Sequence, residues 1–158
     1  MLKKKLLFLI FFIFFVSSAF AKTPLRDQLP NLKKLDNYTK GEKRVLKAIK
    51  YESKNKYKKS KKFYSEALEY FLLANEQSPA DLNIYFYLGF TSEKLNKILD
   101  AEIYYLLGLE VSPNNTKVNN YLGKLYFKNN RFKDANRILR ILKNCNCEDY
   151  VDLANVIK

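Results

Sequence analysis

The sequence predicts an all-α solenoid: three stacked helix-turn-helix repeats closed by a C-terminal capping helix. Three observations carry this. Ala67, Ala101 and Ala135 are spaced by 34 residues, a small residue returning to one point of a repeating unit. Pro79 and Pro113 share that spacing, as do the pairs Leu88-Gly89 and Leu122-Gly123. Between these points the large apolar residues recur in phase, with Phe71, Tyr105 and Leu139 at one position. Repetition at this period marks units that bury their apolar faces only by stacking on their neighbours.

Helices are expected at about 43–58, 61–77, 81–95, 98–111, 115–129, 132–143 and 148–157. Pro79 and Pro113 stop the helices before them, since proline has no N–H for the helical ladder. Asp81 and Asn115 follow at positions where a side-chain oxygen caps the next helix. Asn96, Asn129 and Asn130 suit the tight turns within pairs. Gly89 and Gly123 mark close crossings of two helices, where a side chain would force them apart, and the three alanines do the same on the partner helix. The repeats run at about 48–81, 82–115 and 116–147. The first is the least regular, with Lys54-Asn55 in place of Leu-Gly. Residues 22–40 contain two prolines and little periodicity, and read as a loosely attached arm with Gly41 as the domain boundary.

The 34-residue period and its constrained positions resemble the tetratricopeptide repeat (TPR) family over residues 48–147, and in particular the small periplasmic members found in Gram-negative bacteria. The resemblance implies a concave face built mainly by the first helix of each pair, which binds peptides or proteins. Its usual groove positions fall on Ile49, Glu52, Lys56 and Lys59 in the first repeat. They fall on Asn83, Phe86, Phe90 and Glu93 in the second, and on Lys117, Asn120, Lys124 and Phe127 in the third. This is a groove of lysine and asparagine with three phenylalanines, suited to a carboxylate or acidic side chain beside apolar anchors. Lys56, Asn83, Lys117, Asn120 and Lys124 echo the family's carboxylate clamp only in part.

The first 21 residues read as an address. Lys3, Lys4 and Lys5 precede an apolar run, Leu6 to Val16, and Ala19-Phe20-Ala21 is a small-x-small cleavage site. This is the pattern of a cleavable secretory signal, too short to span a bilayer. Its removal leaves 137 of the 158 residues and lowers the net charge from +13 to +10. The expected location is the periplasm, or the cell envelope or exterior of a cell with one membrane.

The chain has no histidine and two cysteines, which excludes histidine-based triads, histidine metal sites and four-cysteine zinc sites. No catalytic residue, metal or cofactor is expected. Carboxylates such as Glu66, Glu69, Asp100, Glu102 and Asp134 sit at ordinary charged positions of helices. Cys145 and Cys147 follow the last repeat. In an oxidising compartment they are expected to form a disulfide that staples the turn before the capping helix, with a thiol–disulfide redox role as the sharper alternative. Lys54, Lys56, Lys58, Lys59, Lys61 and Lys62 form a dense basic run interleaved with Tyr51, Tyr57 and Tyr64. Export argues against nucleic acid as its partner. An anionic membrane surface, an acidic polymer or an acidic protein fits, as does a purely solubilising patch.

The expected function is therefore an exported, non-enzymatic scaffold that binds a protein or peptide. A permanent accessory subunit of an envelope complex is the alternative. N-terminal sequencing of the protein recovered from cells should read from Lys22; a chain beginning at Met1 would overturn the cleavage assignment.

Overall fold

The computed structural model describes residues 25–158, with side chains from Leu35 onward. The first 21 residues, read as a signal, lie outside this range. Within it seven helices follow one another: α1 Leu25–Glu52, α2 Tyr57–Gln77, α3 Leu82–Lys94, α4 Ile98–Val111, α5 Thr116–Lys128, α6 Phe132–Leu142 and α7 Glu148–Ile157. They pair as α1/α2, α3/α4 and α5/α6; α2 packs on α3, α4 on α5, and α7 closes the stack against α5 and α6. The fold is an all-α solenoid of three pairs with a capping helix.

Local chemistry sets the helix ends. The Asp81 carboxylate accepts from the N–H groups of Asn83 at 2.9 Å and Ile84 at 3.3 Å, and Asn115 accepts from Val118 at 2.9 Å. These satisfy amide donors that the first helical turn leaves open. Within each pair one turn is used three times. Asn55, Asn96 and Asn130 hold left-handed backbone with φ of 56°, 63° and 60°. The next residue's N–H then donates to a carbonyl five residues back, Lys56 to Tyr51, Lys97 to Ser92 and Arg131 to Tyr126, each at 2.9 Å. Asparagine tolerates this conformation better than other side-chain-bearing residues do.

That turn reveals where the expected first repeat is wrong. Asn96 and Asn130 are 34 residues apart, but Asn55 precedes Asn96 by 41. The helix-crossing glycine is displaced by twice as much. A Cβ on Gly89 would lie 2.5 Å from the Tyr105 ring, and one on Gly41 would lie 2.7 Å from the ring of Phe71, the residue equivalent to Tyr105. Gly41 precedes Gly89 by 48 residues. Gly41, not Asn55, is therefore the counterpart of Gly89, and each arm of the first hairpin is seven residues longer than its neighbours' arms. Seven residues are close to two turns of helix, so the insertion keeps each helix face in phase while lengthening the hairpin by about 10 Å.

The segment expected as a loose arm is accordingly helical from Leu25, and α1 passes through Gly41 without interruption. Its Tyr38 packs edge-on against Phe71 and Tyr87, with ring centroids 5.8 and 5.7 Å away. Phe86 takes the equivalent place one pair later, tilted against Tyr105 and edge-on to Tyr121, at 6.4 and 5.1 Å. The second-helix positions behave as expected: Ala67, Ala101, Ala135, Phe71 and Tyr105 are all fully buried.

Adding side-chain volume at a crossing glycine forces a rigid ring to move, whereas Gly108 has only ordinary neighbours, the nearest at 3.5 Å. Gly89→Val should lower stability by about 2 kcal/mol or more through overpacking. Gly108→Ala should raise it by roughly 0.5–1 kcal/mol through helix propensity. Urea midpoints of the two variants should move in opposite directions.

Candidate functional site

The first helices of the pairs, α1, α3 and α5, stand in a row that α7 continues, and contacts run directly from each to the next. Neighbouring elements are also cross-linked by a recurring polar device. A glutamate accepts from one tyrosine hydroxyl and one cation. Glu52 receives Tyr64 at 2.7 Å and Lys94 at 2.9 Å. Glu93 receives Tyr105 at 3.2 Å and Lys128 at 2.7 Å. Glu102 receives Tyr126 at 2.9 Å and Arg131 at 2.6 Å. Burial pushes the Tyr64, Tyr105 and Tyr126 hydroxyls above the ordinary phenol range, and the accepting carboxylates push them further, Tyr126 to about 12. Burial also acts to raise the Glu52 carboxyl, but hydrogen bonds from Lys94 and Tyr64 outweigh it, and the group is held below its usual range. These tyrosines are hydrogen-bond donors at neutral pH, not bases.

Of the twelve groove positions expected from sequence, the nine that carry lysine, asparagine or phenylalanine separate into distinct environments. Phe86 is buried within rings supplied by Tyr87, Phe90, Tyr105 and Tyr121. Phe90 is half-buried between Tyr64 and Tyr121, and Phe127 is half-buried against Phe132. The phenylalanines therefore serve as packing between helices and not as open anchors. Lys56 and Lys59 are exposed, but they lie at the tip of the long first hairpin, within its insertion and outside the row of first-helix positions. The helix α1 residues that take the groove positions are Leu35, Tyr38, Glu42 and Val45, each 48 residues before its α3 counterpart. Asn83 and Lys117 are exposed, and the Lys117 Nζ stands 3.9 Å from the centre of the Phe86 ring.

Asn120 and Lys124 are engaged by the chain itself. Helix α7 brings Asp149 and Asp152 onto α5. The Asn120 amide donates to Asp149 at 3.1 Å and to Asp152 at 2.8 Å, and Lys124 forms an ion pair with Asp152. Thr116 donates to Asp149 at 2.6 Å. Hydrogen bonds from Asn120 and then Lys124 hold the Asp152 carboxyl below its ordinary value. Beside this network lies a cavity of about 340 Å³ with two walls: Lys117, Asn120 and Tyr121 from α5, and Glu148, Asp149 and Asp152 from α7. No local signal in the sequence points to the acidic wall. It depends on how α7 docks, through Leu153, which is fully buried and lies where a Cβ on Gly123 would sit, at 2.5 Å. Cys145 and Cys147 are bonded to each other in the turn that leads into α7, where Asn146 has a φ of 48°. Among the described residues no group of histidine, cysteine and carboxylate side chains could hold a metal ion.

No protein-family model and no curated protein matches the sequence. Solved structures do share the fold. The TPR domain of Arabidopsis OM64 superposes with a TM-score of 0.52 at 17 % identity, covering 77 % of this chain and 96 % of that one. The first TPR domain of Spaghetti (RPAP3), solved bound to the HSP90 peptide SRMEEVD, gives 0.54 at 19 % identity, covering 75 % and 91 %. The chain thus has the fold of TPR domains, a likeness of architecture carried by few identical residues.

Asp152 ties α7 to α5 through its charged form. Its lowered pKa means that this contribution is complete above the unfolded value near 3.8 and is lost as pH falls through the lower folded value. Asp152→Asn should reduce the urea midpoint at pH 7 and flatten its decline as the pH falls below the unfolded value. An unchanged acid limb would show that the pair does not support the cap.

Proposed function

We propose that the protein is a non-enzymatic scaffold that takes a polar segment of a protein partner on its concave face, presenting a partner carboxylate to Lys117. The observation that carries this is the two-walled cavity between α5 and α7. One wall offers an exposed ammonium, the other offers carboxylates, and an extended peptide carries both acceptors and donors to meet them. The TPR-like fold supports a binding role, and the RPAP3 domain that shares the fold was solved bound to the peptide SRMEEVD. We further propose that the chain acts outside the cytoplasm, in the periplasm of a two-membrane cell. The charged, apolar and small-residue sequence of residues 1–21 supports that reading.

One observation favours a second reading, a permanent accessory subunit. Helix α4 is apolar around much of its circumference, and it leaves Leu99, Ile103 and Leu106 at 75 %, 54 % and 42 % exposure on the side away from its buried residues. A helix of this kind usually has a partner on both sides.

Photo-crosslinkers placed at Asn83 and at Ile103, in intact cells, separate the two. Concave-face binding predicts capture from Asn83 that falls several-fold with Lys117→Glu and less with Lys117→Met. Capture from Asn83 that ignores both substitutions would overturn the proposal. Capture confined to Ile103, with stable co-purification, would establish the subunit reading instead.

A further inference from the structure

The two-turn insertion in the first hairpin holds seven of the nine excess positive charges of residues 25–158. Residues 46–62 contain eight lysines against one acid, Glu52, and Glu52 is already engaged by Lys94 and Tyr64. Residues 63–158 contain 11 lysines and arginines against 12 acids. A basic composition spread by chance would not leave the last three-fifths of the chain balanced. Lys54, Lys56, Lys58 and Lys61 are exposed and make no ion pair among the described residues. They surround the start of α2 at the end of a helical hairpin that reaches about 10 Å past the neighbouring one. Tyr57, at 58 % exposure, stands at the apex, and its hydroxyl donates to Asn55. On the same arm of α1, Leu46 and Ile49 are exposed.

We propose that this hairpin tip docks the protein on an anionic lipid surface. The tip projects past the neighbouring pair, so it suits a plane of mobile headgroups better than a single bound molecule. Lysines near such a surface each strengthen binding by about fivefold, acting within a Debye length. A tyrosine ringed by lysines matches the chemistry of the headgroup layer, apolar on one side and hydrogen-bonding on the other. Nucleic acid fits less well, because Tyr57 alone among the aromatic rings at the patch is free to receive a base, and stacking along a strand needs several. Tyr51 lies stacked on Phe63, with centroids 5.3 Å apart and planes 7° from parallel. Lys59 covers Tyr51 at 5.7 Å, and Lys47 covers Phe63 at 4.9 Å. Tyr64 is buried. The tip is separate from the cavity between α5 and α7, so docking would leave that cavity open.

The test uses the chain from Lys22 to Lys158 and vesicles of phosphatidylcholine, alone or with about one third phosphatidylglycerol, at about 0.1 M salt. The chain has no tryptophan, so Tyr57→Trp provides a single fluorescent reporter at the apex. Sedimentation should show binding to the anionic vesicles only, lost at about 0.5 M salt. The combined variant Lys54→Gln, Lys56→Gln, Lys58→Gln and Lys61→Gln should weaken it at least tenfold. Removing four cations from the balanced part of the chain (Lys97, Lys133, Arg137 and Arg140, each to Gln) should weaken it far less. Emission of the indole introduced by Tyr57→Trp should shift to the blue on binding. Equal binding to neutral vesicles would overturn the proposal, as would equal losses in the two quadruple variants or unshifted emission from the apex reporter in the bound protein. Tighter binding to a single-stranded oligonucleotide than to anionic vesicles at the same salt would assign the tip to nucleic acid instead.

Discussion

Close contact between paired helices is the constraint on which the rest of the structure depends. At Gly41 and Gly89 the first helix of a pair lies directly against an aromatic ring of the second, with no room for a Cβ. Gly123 meets the capping helix in the same way, through Leu153. Because the backbones approach so closely, the alanines opposite are completely buried and the large side chains are pushed to the flanks. There they meet the next pair. Tyr38, Phe71 and Tyr87, and then Phe86, Tyr105 and Tyr121, are the visible outcome: two equivalent ring triads that bind one pair to the next.

The third pair ends this series differently, and its ending forms the candidate site. Where the first two pairs place Tyr38 and Phe86, the third places Asn120, which α7 meets with Asp149 and Asp152. An aromatic layer is replaced by a hydrogen-bonded one at the point where the stack stops. A terminal unit has one face without a neighbour, and polar closure keeps that face compatible with water. The same change leaves a cavity beside Lys117, with the acids of α7 opposite. The cap and the candidate site therefore share residues, and substitutions there act on both.

Charge is distributed on a different principle from packing. From Phe63 onward acids and bases nearly balance, and three glutamates, Glu52, Glu93 and Glu102, are each matched through the glutamate–tyrosine–cation device. The long first hairpin breaks this balance because its tip has no neighbouring pair to answer its lysines. Its inner surface remains ordinary helix packing, with Ala48 and Ser60 buried between the arms. The extension is thus a packed helical projection of the fold and not an irregular loop.

Much of the architecture is legible in the sequence because its signals are local or strictly periodic. Asp81 and Asn115 as caps, the alanines of the second helices, and the last five helices to within a residue or two all follow from chemistry acting over a few positions. The first pair escapes a periodic reading because an insertion of two helical turns in each arm preserves the phase of both faces while shifting the turn. A search for a 34-residue spacing then pairs Gly89 with Asn55. A signal does exist: Asn55-Lys56-Tyr57 matches Asn96-Lys97-Ile98 and Asn130-Arg131-Phe132 as turn sequences. The phenylalanines of the groove cannot be placed from sequence, since a helix position facing the concave side is also one facing the adjacent helix, and only the spacing between helices decides which it is. The sequence by itself determined a repeating all-α chain with capped helices, a basic run and no histidine chemistry. Tertiary structure alone decided that the basic run projects from the end of a lengthened hairpin and that the acids of the last helix complete the site, because both depend on distances between helices far apart in the chain.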